Sequence, residues 1–298
     1  MTSRPAQSDT QRPPRSEKVR EWGKAFIGWL RRNPTSAAGL AWLCFLVVIA
    51  IFATGLAPYD PASQRLADRL ASPGRDYLLG ADDLGRDVLS RVLFATRISL
   101  AAPLQAVGLA TLIGLPLGMI SGYKRGWLDT FLSRVADAMM SVPAILLAIS
   151  IVGILGPSLT NAMFAIGLVY APRFFRVVRG STLTIREETF IDAARGLGCT
   201  TPSIIGRHIL PNVFGPFMVE FSLAMSFTML AEASLSFLGL GVQPPEASWG
   251  AMLGRSTRFM VDNPMLVIVP GLLIMLTVLA FNTLGDGIAD AVGRVGKR

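Results

Sequence analysis

Long apolar runs without a charged side chain dominate the hydropathy pattern of this 298-residue sequence. Residues 37–57, 98–123 and 263–285 form uncharged runs of 21, 26 and 23 residues. An α-helix needs about 20 apolar residues to cross the roughly 30 Å of hydrocarbon in a bilayer. Each of these three runs therefore predicts one membrane-spanning helix.

The stretch at 138–172 is longer, with 35 uncharged residues in a row. As a single helix it would measure about 52 Å, which exceeds any tilt that a bilayer accommodates. Gly156-Pro157-Ser158 lies near its middle and is a strong turn signal. The pattern therefore predicts two helices, the first starting near Leu132 and the second ending near Phe175.

Residues 213–241 predict the fifth helix in chain order, because they are apolar except for Glu220 and Glu232. With this helix the pattern contains six crossings, which place both termini on the same side of the membrane. We therefore predict an all-α, polytopic membrane protein with six transmembrane helices.

Composition and charge also favour a membrane protein. Hydrophobic residues make up 51% of the chain and charged residues 16%, whereas soluble domains usually carry about 25% charged residues. The predicted face with both termini holds 20 basic and 9 acidic residues, and the other face holds 8 of each. Basic loops mark the cytoplasmic side. We therefore predict cytoplasmic termini, and the net charge of +8 requires no nucleic-acid partner.

The predicted crossings divide the chain into parts with different environments. In chain order these are a cytoplasmic tail with an interfacial helix at 19–30 (1–36), a first transmembrane helix (37–57), an external segment with an amphipathic helix (58–97), a core of five transmembrane helices (98–285) and a cytoplasmic C-terminal tail (286–298). Asp82 or Asp83 is the predicted N-cap of the external amphipathic helix. Such a helix would lie on the outer membrane face.

The longest predicted cytoplasmic loop, residues 176–212, has the pattern of two short helices joined by a glycine turn. The first covers 185–197 and is stopped by Gly198. The second begins at Thr201, which is followed by proline, and ends at Pro211. A compact helical projection beneath the membrane has poor access to DNA. It is better suited to fill a groove on a cytoplasmic protein.

Missing motifs restrict the chemistry of the chain. There is no G-x-x-x-x-G-K-[ST] sequence, so the chain is not expected to bind ATP phosphates itself. Two cysteines and one histidine exclude a disulfide framework and a Cys/His metal cage. That histidine, His208, lies in the predicted loop, which disfavours an intramembrane serine hydrolase. Two alternatives to a transport subunit driven by partner proteins remain. One is an ATP-independent secondary transporter or channel, and the other is a membrane-embedded enzyme.

The loop contains a more specific pattern. Asp192-Ala193-Ala194 is followed by Gly198 and then by Ile209-Leu210-Pro211. This arrangement resembles the EAA motif of binding-protein-dependent ABC importer permeases, which runs Glu-Ala-Ala-x-x-x-Gly and, after a spacer, Ile-x-Leu-Pro. Two positions depart from the motif, since Asp192 stands in place of glutamate and His208 in place of isoleucine.

Two further segments narrow the resemblance. Residues 79–91 (LGADDLGRDVLSR from Leu79) and residues 233–241 (ASLSFLGLG), the latter followed by Pro244-Pro245 and Ser248-Trp249-Gly250, are similar to segments of one permease type. They resemble the C-type permease of dipeptide, oligopeptide and nickel importers. Three matching segments in the right order are much more specific than the loop alone.

The resemblance implies a subunit of the bacterial cytoplasmic (inner) membrane that transports without catalysing a reaction. Its implied partners are a homologous B-type permease, two cytoplasmic ATPase subunits, an extracytoplasmic substrate-binding protein and membrane lipid. No cofactor is implied for this chain, because ATP and magnesium belong to the ATPase subunits. The loop would be the coupling helix that docks on one ATPase, through Asp192, Ala193, Ala194, Gly198, Ile209, Leu210 and Pro211.

Charged residues near the outer side are candidates for the pathway or a gate. Glu232 lies within a predicted span, where ionisable groups generally face a cavity or a partner helix. It could face the pathway or pair with Arg86 or Arg91 of the external segment. Arg86 and Asp87 are candidate gate residues. For Asp192, pairing within its own helix with Arg195 or Arg186 is the alternative to contact with a partner protein.

Overall fold

The computed structural model describes the backbone of residues 28–295 and the side chains of residues 28–291. Within these residues the chain is helical, apart from turns and one isolated β-bridge, and this confirms the predicted all-α class. In chain order the helices are α1 (Pro34–Leu56), α2 (Val88–Lys124), α3 (Trp127–Met140), α4 (Ala144–Leu155), α5 (Leu159–Arg186), α6 (Thr189–Gly196), α7 (Thr201–Phe237), α8 (Trp249–Ser256) and α9 (Met265–Val295). Most of the predicted interfacial helix, residues 19–27, lies outside the described residues.

Four described helices, α1, α2, α7 and α9, are long and apolar enough to cross a membrane. Helices α3 and α4 pass the same test together, but they meet at a bend of 89°. The bend lies at Pro143, whose ring lacks a backbone donor and disfavours a helical conformation for the preceding residue. Helix α5 is long but carries four arginines and is not in this set. The described residues thus give four or five candidate crossings, and the predicted six are not confirmed.

The predicted division of the long apolar run is present in the structure. Gly156 adopts a φ of +90°, a conformation that side chains disfavour, and it ends α4. Ser158 then caps α5, because its side chain accepts a hydrogen bond from the backbone N–H of Asn161. This local turn chemistry confirms that residues 138–172 do not form a single helix.

Helices α2 and α5 form the most extensive helix pair because glycines on α2 let the two backbones approach closely. A Cβ added at Gly114 would lie 2.5 Å from the Cβ of Phe174. One added at Gly118 would lie 2.9 Å from the carbonyl oxygen of Phe175. Small residues four positions apart commonly allow such contact between membrane helices. The buried cluster around Phe174 forms the interior, and α7 packs against it.

Helix α1 lies at the edge of the bundle, against α9 and α2. Trp42 Nε1 donates a hydrogen bond to Thr277 Oγ1 at 3.2 Å, and Ser36 Oγ donates to the carbonyl oxygen of Thr283 at 2.6 Å. The opposite face of α1 is apolar and exposed, with Ile51 as its most exposed side chain. Within a bilayer this face would contact lipid.

The external segment differs from its prediction. The predicted amphipathic helix is the beginning of α2, which continues unbroken from Val88 to Lys124. Its N-cap is Asp87 rather than Asp82 or Asp83. Arg97, which interrupts the apolar pattern, does not end the helix, because its guanidinium donates hydrogen bonds to backbone and hydroxyl oxygens of α1. We call residues 58–87, which precede α2, the outer segment.

The predicted cytoplasmic loop also has different boundaries. Helix α5 continues to Arg186, so the connection between long helices is shorter than predicted. Pro211 does not end the second helix but lies inside α7. A wide π-type turn at Ile205–Ile209 directly precedes this proline, and Leu210 N–H bonds to the carbonyl oxygen of Ile205. Such a turn changes the backbone hydrogen-bond pattern where proline cannot donate.

Candidate functional site

We call residues 187–211 the coupling segment. It contains α6, a glycine turn and the first turns of α7. Gly198 has a φ of +77° and open space around the position of a Cβ, so its backbone conformation, rather than crowding, favours glycine. Thr200 precedes the first turn of α7, in which Pro202 lies, as expected for a proline at a helix start. The segment therefore folds as two helices joined by a sharp turn.

One side of the coupling segment is buried within the chain. Ile191, Ala194, Ile204 and Ile209 are almost completely buried in the cluster that also contains Phe174. This apolar base fixes the segment on the transmembrane core. Ala194 and Ile209, two predicted docking residues, therefore pack internally, and Leu210 is half-buried.

The other side of the coupling segment faces away from the chain. The predicted docking residues on this side are Asp192, Ala193, Gly198 and Pro211, all of them exposed. Leu197, which was not predicted, is the most exposed apolar side chain of the segment at 84%. This exposed apolar side chain lies close in sequence to the small residues Ala193 and Gly198, which are exposed on the same segment.

Asp192 pairs within its own helix. Its carboxylate lies 3.1 Å from Nη1 of Arg195, and both side chains are exposed. This is one of the two predicted alternatives, and an exposed pair of this kind is weak. The hydrogen bond with the Tyr123 hydroxyl, followed by smaller charge contributions from neighbours, raises the pKa of Arg195 above its usual value.

Tyr123, near the end of α2, connects the coupling segment to the core. Arg186 Cζ lies 5.8 Å and Arg195 Cζ 5.2 Å from the centroid of its ring, within the range of cation–π attraction. Arg186 Nη1 donates to the Tyr123 carbonyl oxygen at 2.6 Å, and Arg195 Nε donates to its hydroxyl at 3.3 Å. We call these three residues the Tyr123 clamp. The clamp ties the last residue of α5 and the end of α6 to α2.

Sequence analysis missed the Tyr123 clamp because its members are far apart in the chain. The two hydrogen bonds of Tyr123 join residues separated by 63 and 72 positions. A nearby ion pair, Arg125 Nη2 to Glu187 Oε1 at 2.6 Å, makes the same connection between the end of α2 and the coupling segment. Only the fold brings these residues together.

Arginines spaced three apart on α5 pair with acidic side chains of other helices. The pairs are Arg173–Glu220 at 2.7 Å, Arg176–Asp137 at 2.5 Å and Arg179–Asp129 at 2.5 Å. Residues three apart on a helix lie close to one another on its surface. The pairs therefore connect one side of α5 with α3 and α7, directly before the coupling segment.

The outer segment holds a compact charged network. Asp82 Oδ2 accepts from Arg86 Nε at 2.7 Å and lies 3.4 Å from Arg91 Nε. Its Oδ1 accepts hydrogen bonds from the backbone N–H groups of Leu84 and Arg86. Asp87 accepts hydrogen bonds from the backbone N–H and hydroxyl of Ser90 at 2.8 and 2.6 Å. Arg86 and Asp87 are buried, and these contacts fold the outer segment onto α2.

Glu232 is buried in α7, with 1% of its surface exposed. Its Oε1 accepts a hydrogen bond from Ser236 Oγ at 2.7 Å. It forms an ion pair with neither Arg86 nor Arg91, whose carboxylate partner is Asp82. Of the two alternatives for Glu232, pairing with an outer arginine is therefore not present in the structure. A serine hydroxyl on the next turn of the same helix satisfies the buried carboxylate instead.

Within the described residues, no three His, Cys, Asp or Glu side chains lie close enough together to hold a metal ion. Cys44 and Cys199 are both free and exposed. The described geometry is thus that of helices with a projecting segment at one end and a charged outer segment at the other.

Two family models match this chain. The model described as "Binding-protein-dependent transport system inner membrane component" matches residues 114–295. The model described as "N-terminal TM domain of oligopeptide transport permease C" matches residues 22–73. Together the matches cover α1, the beginning of the outer segment and most of the core, including the coupling segment.

Curated relatives align along nearly the whole chain. The glutathione transport system permease protein GsiD of Pectobacterium atrosepticum is 43% identical over 280 residues, 93% of this chain and 93% of that protein. The dipeptide transport system permease protein DppC of Alkalihalophilus pseudofirmus is 43% identical over 274 residues, 92% of this chain and 90% of that protein. GsiD of Escherichia coli is 41% identical over 277 residues, 93% of this chain and 91% of that protein.

A solved structure has a similar fold. It is the MetNI methionine ABC transporter in an inward-facing conformation, matched with a TM-score of 0.58 over 68% of this chain and 96% of that chain. The sequence identity is 20%, so the likeness concerns the fold alone.

Proposed function

The chain belongs to the family of binding-protein-dependent transport system inner membrane components, and we propose that it imports peptides as the C-type subunit of its transporter. It is a permease subunit of an ABC importer. The substrates that we propose are dipeptides, oligopeptides or glutathione, because the relatives carry the names of dipeptide and glutathione permeases.

The single observation that carries the proposal is the construction of the coupling segment. Its base, with Ile191 and Ile209, is buried in the core, and its tip exposes Ala193, Leu197 and Gly198. A projection with a fixed base and an exposed tip can transmit movement of an attached protein to the transmembrane helices. We assign the tip to docking on a cytoplasmic ATPase subunit.

The complete transporter would contain four kinds of protein. This chain would pair with a homologous B-type permease, and the two would contact two ATPase subunits and an extracytoplasmic binding protein. ATP and magnesium would bind to the ATPases, and this chain would catalyse no reaction. Nucleotide can drive transport only if it binds one conformation of the assembly more tightly than the other.

We propose that the protein lies in the bacterial inner membrane with both termini in the cytoplasm. Two contacts support termini on the same side, since Trp29 Nε1 donates to the Gly287 carbonyl oxygen at 3.0 Å and Ser36 bonds to Thr283. These contacts place the start of α1 beside the last turns of α9. The excess of basic residues on this face supports its cytoplasmic location. Six crossings require α5 and the bent α3–α4 pair to count as one crossing each.

A Gly198→Asp variant tests the docking role. The substitution adds charge and bulk at the exposed tip, so we expect the variant to assemble with its partners but to lose ATP-driven uptake in proteoliposomes. Gly156→Asp is the matched control, because Gly156 also has a positive φ and open space but lies in the turn between α4 and α5. Full uptake by Gly198→Asp would contradict the proposal, as would uptake by this chain alone without ATPases.

We also propose to test the outer candidates Glu232, Arg86 and Asp87 for a role in the pathway or gate. Their burial and internal hydrogen bonds favour a structural contribution. Glu232→Gln removes the charge but keeps the shape and can still accept the Ser236 hydrogen bond. Unchanged uptake at unchanged expression would exclude Glu232 from the pathway, and the exposed Glu246→Gln is the control.

A further inference from the structure

A polar cavity of about 350 Å³ lies at the end of α7 that is far from the coupling segment. The C-terminal end of α7, helix α8 and the outer segment form its walls. Its polar side chains are Asp83, Ser236, Gln243, Arg255 and Arg258. Small-molecule sites in proteins commonly start at about 300 Å³. The cavity is therefore large enough for a small polar molecule.

Two arginines of the cavity have no acidic partner. Arg255 is half-buried and Arg258 is exposed, and within the described residues neither forms an ion pair. Asp82 is close by but is already shared by Arg86 and Arg91. A partly buried guanidinium without a carboxylate is energetically unfavourable. A bound carboxylate would supply the charge and the hydrogen-bond acceptors that Arg255 lacks.

The same cavity also contains a carboxylate. Asp83 lies 3.8 Å from Arg86, near the limit of an ion pair, and 31% of its side chain is exposed. Glu232 does not contribute, since it is buried behind Ser236 and bonded to it. The cavity thus presents two cationic groups and one anionic group to the same space. This arrangement is complementary to a small zwitterion.

We propose that this cavity binds a small peptide, with Arg255 and Arg258 on its free α-carboxylate and Asp83 facing its α-ammonium group. The inference rests on the proposed function, which makes peptides the transported class. The cavity would serve as a binding site at the outer end of the permease, opposite the segment that contacts the ATPase. If the arginines instead served a carboxylate of a docked protein, a dipeptide and its amide would bind equally well, and the test checks for this outcome.

The test measures equilibrium binding of radiolabelled dialanine and of dialanine amide to the complete assembly in nanodiscs, without the binding protein. The amide lacks the carboxylate, so we expect the wild-type assembly to prefer dialanine by about tenfold, the value of one charged hydrogen-bonded contact. Arg255→Gln should abolish this preference, and Arg255→Lys should retain part of it. Arg258→Gln, at an exposed position that folding does not require, should reduce it.

The control variant is Arg75→Gln, because Arg75 is exposed in the outer segment and does not line the cavity. It should retain the full preference. Equal binding of the acid and the amide by the wild type would overturn the proposal, as would an unchanged preference in Arg255→Gln. Loss of binding of both ligands in Arg255→Gln would likewise overturn it, because the arginine would then maintain the shape of the site instead of contacting the carboxylate of the ligand.

Failure of this inference is distinguishable from failure of the proposed function. ATP-driven uptake with the binding protein present is measured on the same preparations. If the assembly takes up peptide but binds dialanine and its amide equally well, only the cavity assignment is overturned. Absence of ATP-driven peptide uptake by the wild-type assembly would contradict the proposed function itself.

Discussion

The coupling segment and the outer segment both carry distinctive sequence motifs, but the structure uses their residues in opposite ways. In the coupling segment the motif residues Asp192, Ala193 and Gly198 are exposed, and hidden isoleucines hold the segment in place. In the outer segment the motif residues Asp82 and Arg86 are buried and bonded to one another. A recognisable motif can therefore consist of partly exposed residues in one region and of buried, mutually bonded residues in another.

Among the variants that test this contrast, we expect Asp82→Ala to lower stability the most. The change would leave Arg86 and Arg91 buried without their shared carboxylate, and breaking a buried ion pair costs about 3–5 kcal/mol. We expect a large decrease in the thermal unfolding midpoint of the detergent-solubilised assembly. Asp192→Ala serves as the comparison, because its pair with Arg195 is exposed. Equal unfolding midpoints for the two variants would contradict the distinction between a buried ion pair in the outer segment and an exposed one in the coupling segment.

The next largest loss of stability is expected from a substitution in the core that joins the two regions. Gly114→Ala would place a Cβ 2.5 Å from that of Phe174, and overpacking of this kind typically costs about 1–3 kcal/mol. Gly108→Ala on the same helix is the matched control, since no atom lies within 4 Å of its added Cβ. It should be neutral or stabilising by up to about 1 kcal/mol. Unfolding of both variants in detergent measures the difference.

Tyr123→Ala should have a smaller effect on stability but a specific effect on coupling. It removes two cation–π contacts, each worth about 0.5–1 kcal/mol when exposed. We expect more ATP hydrolysed per substrate molecule imported, because the coupling segment is then less firmly tied to α2. Tyr123→Phe keeps the ring and loses only the hydroxyl, so it should restore most of the coupling. Equal coupling ratios in wild type and Tyr123→Ala would refute a role for the clamp in transmission.

The smallest change in stability is expected for Asp192→Ala, which removes one exposed pair worth less than about 1 kcal/mol. Its effect on uptake is the informative measurement. If Asp192 contacts an ATPase, uptake should fall while the unfolding midpoint stays nearly unchanged. If it serves only to pair with Arg195, uptake should remain at the wild-type level, and the docking assignment of this residue would be lost.

Local signals in the sequence were sufficient to predict several elements. The turn signal at Gly156-Pro157-Ser158 depends on residues adjacent in the chain, and the turn is present. The same holds for the glycine turn at Gly198. Boundaries that depend on distant partners were not predictable. The predicted amphipathic helix and the predicted transmembrane helix at 98–123 form one helix, α2, because α1 supplies hydrogen-bond acceptors for Arg97 at their junction.

In the candidate site, too, features that depend on residues far apart in the chain could not be predicted. The pattern predicted which residues belong to the coupling segment, but not which of them would be buried, since Ala194 and Ile209 lie in an interior built from several helices. Tyr123 has no local signal, because its arginine partners are brought together only by folding. Hydropathy also could not reveal the bend at Pro143, since the run continues apolar through it.

Because helix α7 is long, a small tilt about one of its ends displaces the other end by a large distance. From Leu210 to Phe237 it contains 28 residues, a rod of about 42 Å that starts beyond the wide turn. Tilting such a rod by about 10° about its inner end would displace its outer end by about 7 Å. A modest rotation at the end of α7 beside the coupling segment is thus enough to displace its opposite end by several ångströms.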